Sequence, residues 1–292
     1  MKHYNNLLQI FSYFKTNEIC KKHLEKVRWN NTVICPFCGS ELIYVIKQGY
    51  KCGNCYKLFN VKTKTIFENT KISLTKWFVS IYLSTSYKKG ISSLQLSKDI
   101  AVTQKTAWFM LQRIREMLKD KNSNILSGIV ELDETYVGGK HKGKRGRGSE
   151  NKTAVFGLLQ RNGKVINRKV KDTKKKTLQS IINKTVDKDS TIMTDEWQSY
   201  NGLSNNYKHN VVNHSLKQYV NGINHVNTIE GYWSLLKRGI IGIYHKVSDK
   251  HIEKYLSEFV FRYNNRNINE EMRFDLSLAQ CNVRLKYKDL IK

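Results

Sequence analysis

Two C-x-x-C pairs, Cys35-Pro36-Phe37-Cys38 and Cys52-Gly53-Asn54-Cys55, constrain this chain more than any other feature. Four thiols in two close pairs, a hairpin's length apart, suit one tetrahedral zinc ion, and four thiolates leave that ion no open position for chemistry. Between the pairs, the run Tyr44, Val45 and Ile46 reads as part of short β-hairpins that end near Thr65. A ribbon of this size has little core, so a structural zinc supplies much of its folding free energy. Cys20 and Cys281 stand alone. That spacing favours metal over disulfides and a reducing compartment. Tyr50, Lys51, Tyr56 and Lys57 around the ribbon suit either contact with a polyanion or a solvated hairpin face.

Around the ribbon the hydrophobic pattern is helical. Residues 1–31 read as one or two short helices, with Leu7, Leu8, Phe11 and Phe14 at helical spacing. Three more helices are predicted over residues 74–87, 92–100 and 103–118. Only Ala101 and Val102 separate the last two, Thr103 is placed as an N-cap, and Trp108, Leu111, Ile114 and Leu118 form one apolar stripe. This is the pattern of a helix-turn-helix, and also of helices that merely pack together. The chain carries 51 Lys and Arg against 24 Asp and Glu, a formal charge of +27 spread along its whole length. A polyanionic partner is the first expectation, and an extended nucleic-acid surface fits better than a polybasic membrane anchor. No apolar run approaches a membrane span and no leader-like start precedes the first helix, so a cytoplasmic protein is expected.

After a polar linker the pattern turns to strands over residues 128–137, 153–160 and 164–171. A helix over residues 174–186, strands over 191–194 and around 209–213, and helices over 227–238 and 251–264 follow. The order β-β-β-α-β-(β)-α-α predicts an α/β domain of ribonuclease-H-like fold. The expected organisation is 1–65 for the N-terminal helices and ribbon, 66–122 for the helix-turn-helix-like region, 128–270 for the α/β domain and 271–292 for a tail.

Three acids, Glu131, Asp133 and Glu134, interrupt the first strand, with Glu131 and Asp133 on one face and Glu134 on the other. Acids in an apolar strand are costly unless exposed or bound to cations. Asp195 sits where the strand Thr191-Ile192-Met193-Thr194 runs out, so it can lie beside Asp133 and share a metal. Glu230 lies beside the apolar stripe of a later helix, and Lys237, two turns on, points the same way. Alternatively Asn227 caps that helix and Glu230 reaches back to it in a capping box. The joint arrangement of the acids favours a metal-binding triad. His225 is left as a structural residue.

These residues resemble a known family, the insertion-sequence transposases of the IS-fifteen-ninety-five type (ISXO-like group), which join an N-terminal zinc ribbon to a DDE catalytic domain. The resemblance covers nearly the whole chain. It rests on the ribbon cysteines, on Lys105-Thr106-Ala107-Trp108-Phe109-Met110 with Arg113-Ile114-Arg115, and on Glu131-Leu132-Asp133-Glu134-Thr135-Tyr136-Val137-Gly138-Gly139-Lys140. Thr194-Asp195 and the run from His225 through Glu230-Gly231-Tyr232-Trp233 to Lys237-Arg238 complete it. It implies a catalytic triad followed by a lysine, carried here onto Asp133, Asp195, Glu230 and Lys237. The family uses Asn as well as Glu at the third position, so Asn227 is the alternative third ligand. Glu230 is preferred because an ionised carboxylate binds a hard divalent cation better than an amide does.

The resemblance further implies two Mg²⁺ ions, with Mn²⁺ able to substitute, that cleave double-stranded DNA at the element's terminal inverted repeats and join it to target DNA. Candidate DNA contacts are Lys105, Arg113 and Arg115 on the expected recognition helix, and Lys140, Lys142, Lys144, Arg145 and Arg147 in the Gly-rich segment after the first strand. Lys237 and Arg238 complete the set. A homodimer or larger synaptic complex and a nucleoid-associated bacterial setting are expected. The rival functions are a transcription regulator without catalysis and a ribonuclease-H-like nuclease or resolvase.

Overall fold

In a computed structural model of the chain, residues 4–120, 125–138, 152–212 and 225–291 are described. They form two compact units, one of Met1–Lys119 with Asn265–Lys292, the other of Asp120–Asn264. Among the described residues no helix is long and apolar enough to cross a membrane.

The first unit begins with α1 (Leu7–Tyr13) and α2 (Asn17–Trp29). Each starts where a polar side chain accepts from the backbone N–H three residues on, Asn6 for Gln9 and Thr16 for Ile19, a cap that contributes about 1 kcal/mol. A three-stranded antiparallel sheet of β1 (Ile43–Ile46), β2 (Gly49–Cys52) and β3 (Leu58–Phe59) follows, and Tyr50 stacks on Phe59 and meets Trp29 of α2 edge-on. Then come α3 (Leu74–Ser86), α4 (Ser93–Asp99) and α5 (Gln104–Met117), capped by Ser73, Ser92 and Thr103. Thr103 occupies the cap position that its sequence context predicts.

The C-terminal residues depart from expectation. Residues 271–292, read from the sequence as a tail, contain α9 (Glu270–Ala279) and α10 (Tyr287–Ile291), and they belong to the first unit. Phe274 is fully buried among Tyr4, Phe14, His23 and Phe78, and Tyr4 Oη donates to Asp275 at 2.8 Å. The boundary therefore falls after Asn264 rather than at residue 270, and ribbon and helices share one unit rather than forming two.

The second unit is a five-stranded sheet between helical layers. Its strands are β4 (Ile129–Val137), β5 (Thr153–Gln160), β6 (Val165–Val170), β7 (Thr191–Asp195) and β8 (Lys208–Val212), in the order β6-β5-β4-β7-β8. β4, β5 and β6 are antiparallel neighbours, whereas β7 and β8 run parallel to β4. This is the ribonuclease-H-like arrangement that the element order predicts. Period-2 alternation sorts each strand's residues onto two faces. Val130, Leu132, Phe156, Leu158 and Ile192 pack with Leu178 and Ile182 of α6 (Lys175–Thr185). On the other face Val137, Val155, Leu159 and Met193 pack with Ile229, Trp233 and Leu236 of α7 (Asn227–Gly239) and Leu256 and Phe259 of α8 (Ile252–Asn264). A π-helical turn, Ile240–Tyr244, extends α7. Tyr244 Oη there donates to Glu258 at 2.6 Å, and Glu258 pairs with Arg262 inside α8.

Candidate active site

The last β4–β7 register pairs are Glu131 with Met193. Beyond them β4 stays paired with β5 through Val137, and β7 stays paired with β8 through Asp195. Asp133 and Asp195 each lie two residues past the last pair, on the face toward α7, where two parallel strands part at their carboxyl ends. Open α/β sheets bind ligands at such a crevice. Glu134 faces the other way, where its carboxylate accepts from the buried Tyr200 Oη at 2.9 Å.

The third carboxylate comes from α7. A cleft of about 640 Å³ is lined by Asp133, Thr135, Glu230, Trp233, Ser234 and Lys237, among others. Glu230, Ser234 and Lys237 are spaced along one exposed stripe, so the acid and the cation open onto the same cleft. Arg238 lines it too, while Asn227, exposed at the first helical position, lies outside that lining. The Asp133 carboxyl is pushed up to about 7 by burial and by the negative charges of Glu134, Asp195 and Glu230, against a lowering contribution from the Glu134 N–H. Asp133 thus senses the charges of both Asp195 and Glu230, and a divalent cation placed among them would relieve that repulsion.

What holds α7 there is a residue that the sequence left unassigned. The helix starts after Val226 without a side-chain cap, so Asn227 does not cap it and the capping box with Glu230 does not form. Glu131, fully buried on β4, takes that role from outside the helix. Its carboxylate accepts from the Ile229 N–H and Thr228 Oγ1, both at 2.9 Å, and from Arg161 Nε at 2.6 Å. Arg161 also donates to the His225 carbonyl at 2.7 Å, which fixes the residue before the helix. The strand that carries Asp133 therefore sets the position of the helix that carries Glu230. Only the acid's place two residues before Asp133 hints at this in the sequence, because Arg161 comes from a distant turn.

The four ribbon thiols converge as their spacing predicts, with all sulfurs within 4.8 Å of one another. Cys35 and Cys55 Sγ are 3.7 Å apart, and Cys38 and Cys52 Sγ 3.6 Å. A tetrahedron with Zn–S bonds of about 2.3 Å has edges of about 3.8 Å, so the donors fit zinc. The N–H groups of Cys55 and Asn54 pull the Cys52 thiol down to about 6, which favours a thiolate. Gly39 follows the first pair at φ 77°, and Tyr56 follows the second at φ 59°.

The expected DNA contacts separate. Lys105 is exposed at the start of α5, its ammonium 5.3 Å from the Tyr287 ring centre. Arg113 and Arg115 are not on the surface, which corrects the sequence reading. The Arg113 guanidinium donates to the carbonyls of Ile66 at 2.7 Å and Leu285 at 3.1 Å, and Arg115 is 1% exposed. Arg113 is thus held between the segment that precedes α3 and the returning C-terminal segment. Tyr50 is likewise committed to packing and donates to Glu25, whereas Lys51, Tyr56 and Lys57 are exposed. Lys140, Lys142, Lys144, Arg145 and Arg147 lie outside the described residues.

The ISXO2-like transposase domain matches residues 125–264, and the transposase zinc-ribbon domain matches residues 15–57. An uncharacterized protein in transposable element ISH50 of Halobacterium salinarum is 32% identical over 262 residues, 82% of this chain and 88% of its own length. An uncharacterized transposase-like protein of Haemophilus influenzae is 32% identical over 97 residues, 33% of this chain and 77% of its own. A solved Mos1 transposase paired-end complex with left transposon end shares 13% identity across 65% of this chain and 71% of that one, at a TM-score of 0.30. The chain belongs to the insertion-sequence transposase family that joins a transposase zinc ribbon to an ISXO2-like transposase domain.

Proposed function

We propose that this transposase binds the inverted repeats at its element's ends, cuts them and joins the freed ends to target DNA, with Asp133, Asp195 and Glu230 holding two Mg²⁺ ions. The observation that carries this reading is that Asp133 and Glu230 line one cleft with Lys237 and Arg238, while the charges of Asp195 and Glu230 both raise the Asp133 carboxyl. Bound there, divalent cations would activate the attacking oxygen and stabilise the leaving one. The chain's own part is to hold three carboxylates in fixed relation through the Glu131 anchor and to present Lys237 and Arg238 to phosphate oxygens. Glu230 serves better than Asn227 as third ligand because it lines the cleft and carries charge. The α4–α5 pair is the helix-turn-helix candidate, with Lys105 its exposed cation, and the exposed Lys51 and Lys57 extend contact to the ribbon. Two copies bring two ends together.

The test uses zinc-loaded protein with labelled duplexes taken from the inverted repeats that flank its reading frame. Mg²⁺-dependent cutting followed by covalent joining to a target plasmid is expected. Asp133→Asn, Asp195→Asn and Glu230→Gln should each lower both steps by about a hundredfold or more, while Asn227→Ala changes them little. Cutting without joining would favour the nuclease or resolvase reading, and binding without cutting the regulator. If Asn227→Ala is inactive and Glu230→Gln active, the third ligand is Asn227.

A further inference from the structure

Two side chains of the cleft have no role in the scheme above. Thr135 and Trp233 are each 3% exposed, and both line the cleft. Neither Thr135 Oγ1 nor Trp233 Nε1 finds a hydrogen-bond partner among the described residues. A buried donor without a partner costs stability, and two in one cleft call for a shared explanation.

Both stand next to the triad. Thr135 is two residues beyond Asp133 in β4 and so projects from the same face. Trp233 lies one turn after Glu230, and its six-membered ring rests over Gly157, where an added Cβ would come within 2.4 Å of Cζ2 and 2.7 Å of Cη2. Gly157 is the direct register partner of Asp133, so the Nε1-bearing edge of the indole is carried over the strand position beside that acid.

Chemistry narrows what the two can bind. An indole N–H only donates, and a threonine hydroxyl can donate at the same time, so a ligand common to both presents acceptor oxygens. A lysine at either position would form an ion pair with Asp133, whereas neutral donors leave the carboxylates free for cations. We propose that Thr135 Oγ1 and Trp233 Nε1 are substrate contacts that donate to the non-bridging oxygens of the phosphodiester being cut. Charge spreads over those oxygens in phosphoryl transfer, so fixed donors there favour the transition state. The proposal rests on the transposase reading of the cleft and adds two residues to it.

Thr135→Val and Trp233→Phe remove the donors while keeping most of the packing, and Thr135→Ser restores a hydroxyl. End cleavage should fall about tenfold or more in the first two, with recovery in Thr135→Ser. The free Thr135→Val protein should melt no lower than the parent, because it loses an unpaired polar atom. In a second arm, affinity for the end duplex is compared in Ca²⁺ with the scissile phosphate intact or replaced by each methylphosphonate diastereomer. Replacing the contacted oxygen should erase the affinity difference between parent and variant. Cleavage within about twofold of the parent in both donor-less variants would overturn the proposal. So would a lower melting temperature for Thr135→Val with unchanged response to the methylphosphonates, which marks a structural hydroxyl. If the parent itself cuts no end duplex, the transposase reading of the cleft falls first and this one with it.

Discussion

Asp133 carries a pH signature. Burial and the charges of Glu134, Asp195 and Glu230 raise its carboxyl to about 7, whereas in the unfolded chain it ionises near 4. Between those values the folded protein holds a proton that the unfolded chain releases, so this group's contribution to stability declines as pH rises from about 4 to about 7. Without added divalent cation, Asp133→Asn should therefore raise the melting temperature more at pH 8 than at pH 5.5, as scanning fluorimetry would show. Adding Mg²⁺ at pH 8 should stabilise the parent and not the variant, since a ligand bound by the folded state alone adds stability. An equal gain at both pH values would mean that Asp133 is ionised throughout. At this scale the sequence was legible where a residue's position follows from its own strand, as for Asp133 and Asp195. It misled at Arg115, which is buried, and at Arg113, one of whose acceptors comes from the other end of the chain.

Among elements, α7 shows how one buried carboxylate stands in for a local cap. Asn227 three residues before Glu230 looks like a capping pair, yet the donors of that first turn go to Glu131 on β4. Local pattern names the helix, and a tertiary contact fixes where it starts. Removing one partner of a buried ion pair leaves the other uncompensated, so Glu131→Ala should cost about 3 kcal/mol in urea unfolding. Glu131→Gln, which keeps an acceptor, should cost less. If α7 were held by its apolar stripe alone, the two would be indistinguishable. Gly157→Ala belongs to the same account, since its methyl would meet the Trp233 ring at 2.4 Å, and overpacking costs about 1–3 kcal/mol. The ribbon was legible throughout because four cysteines specify a geometry by themselves. Stripping its metal with a strong chelator should release a single zinc ion and collapse hydrogen-exchange protection over β1–β3 while β4–β8 stay protected.

For the whole molecule, the unit boundary after Asn264 yields the clearest prediction. A chain ending there keeps every described strand of the α/β unit but loses Phe274 from the aromatic cluster and the Leu285 carbonyl from Arg113. It should retain a cooperative transition for the α/β unit and show little exchange protection in α2, α3 and α5, whereas residues 120–264 alone should give a sheet-containing circular dichroism spectrum. Retained protection in α3 would make the returning segment dispensable. Fold class and the succession of elements were legible from periodicity, because each strand and helix of the α/β unit follows the next in sequence. The return of residues 265–292 was not, because a short amphipathic helix does not declare which distant surface it covers.

That return also orders events during synthesis. A ribosome delivers the cysteine cluster before the α/β unit and α9 and α10 after it, so the unit begun earlier is completed only once the sheet bearing Asp133 and Asp195 has emerged. Until then the part of α3 that meets α9 stays uncovered, and premature termination would leave a sheet able to fold attached to a partner that is incomplete.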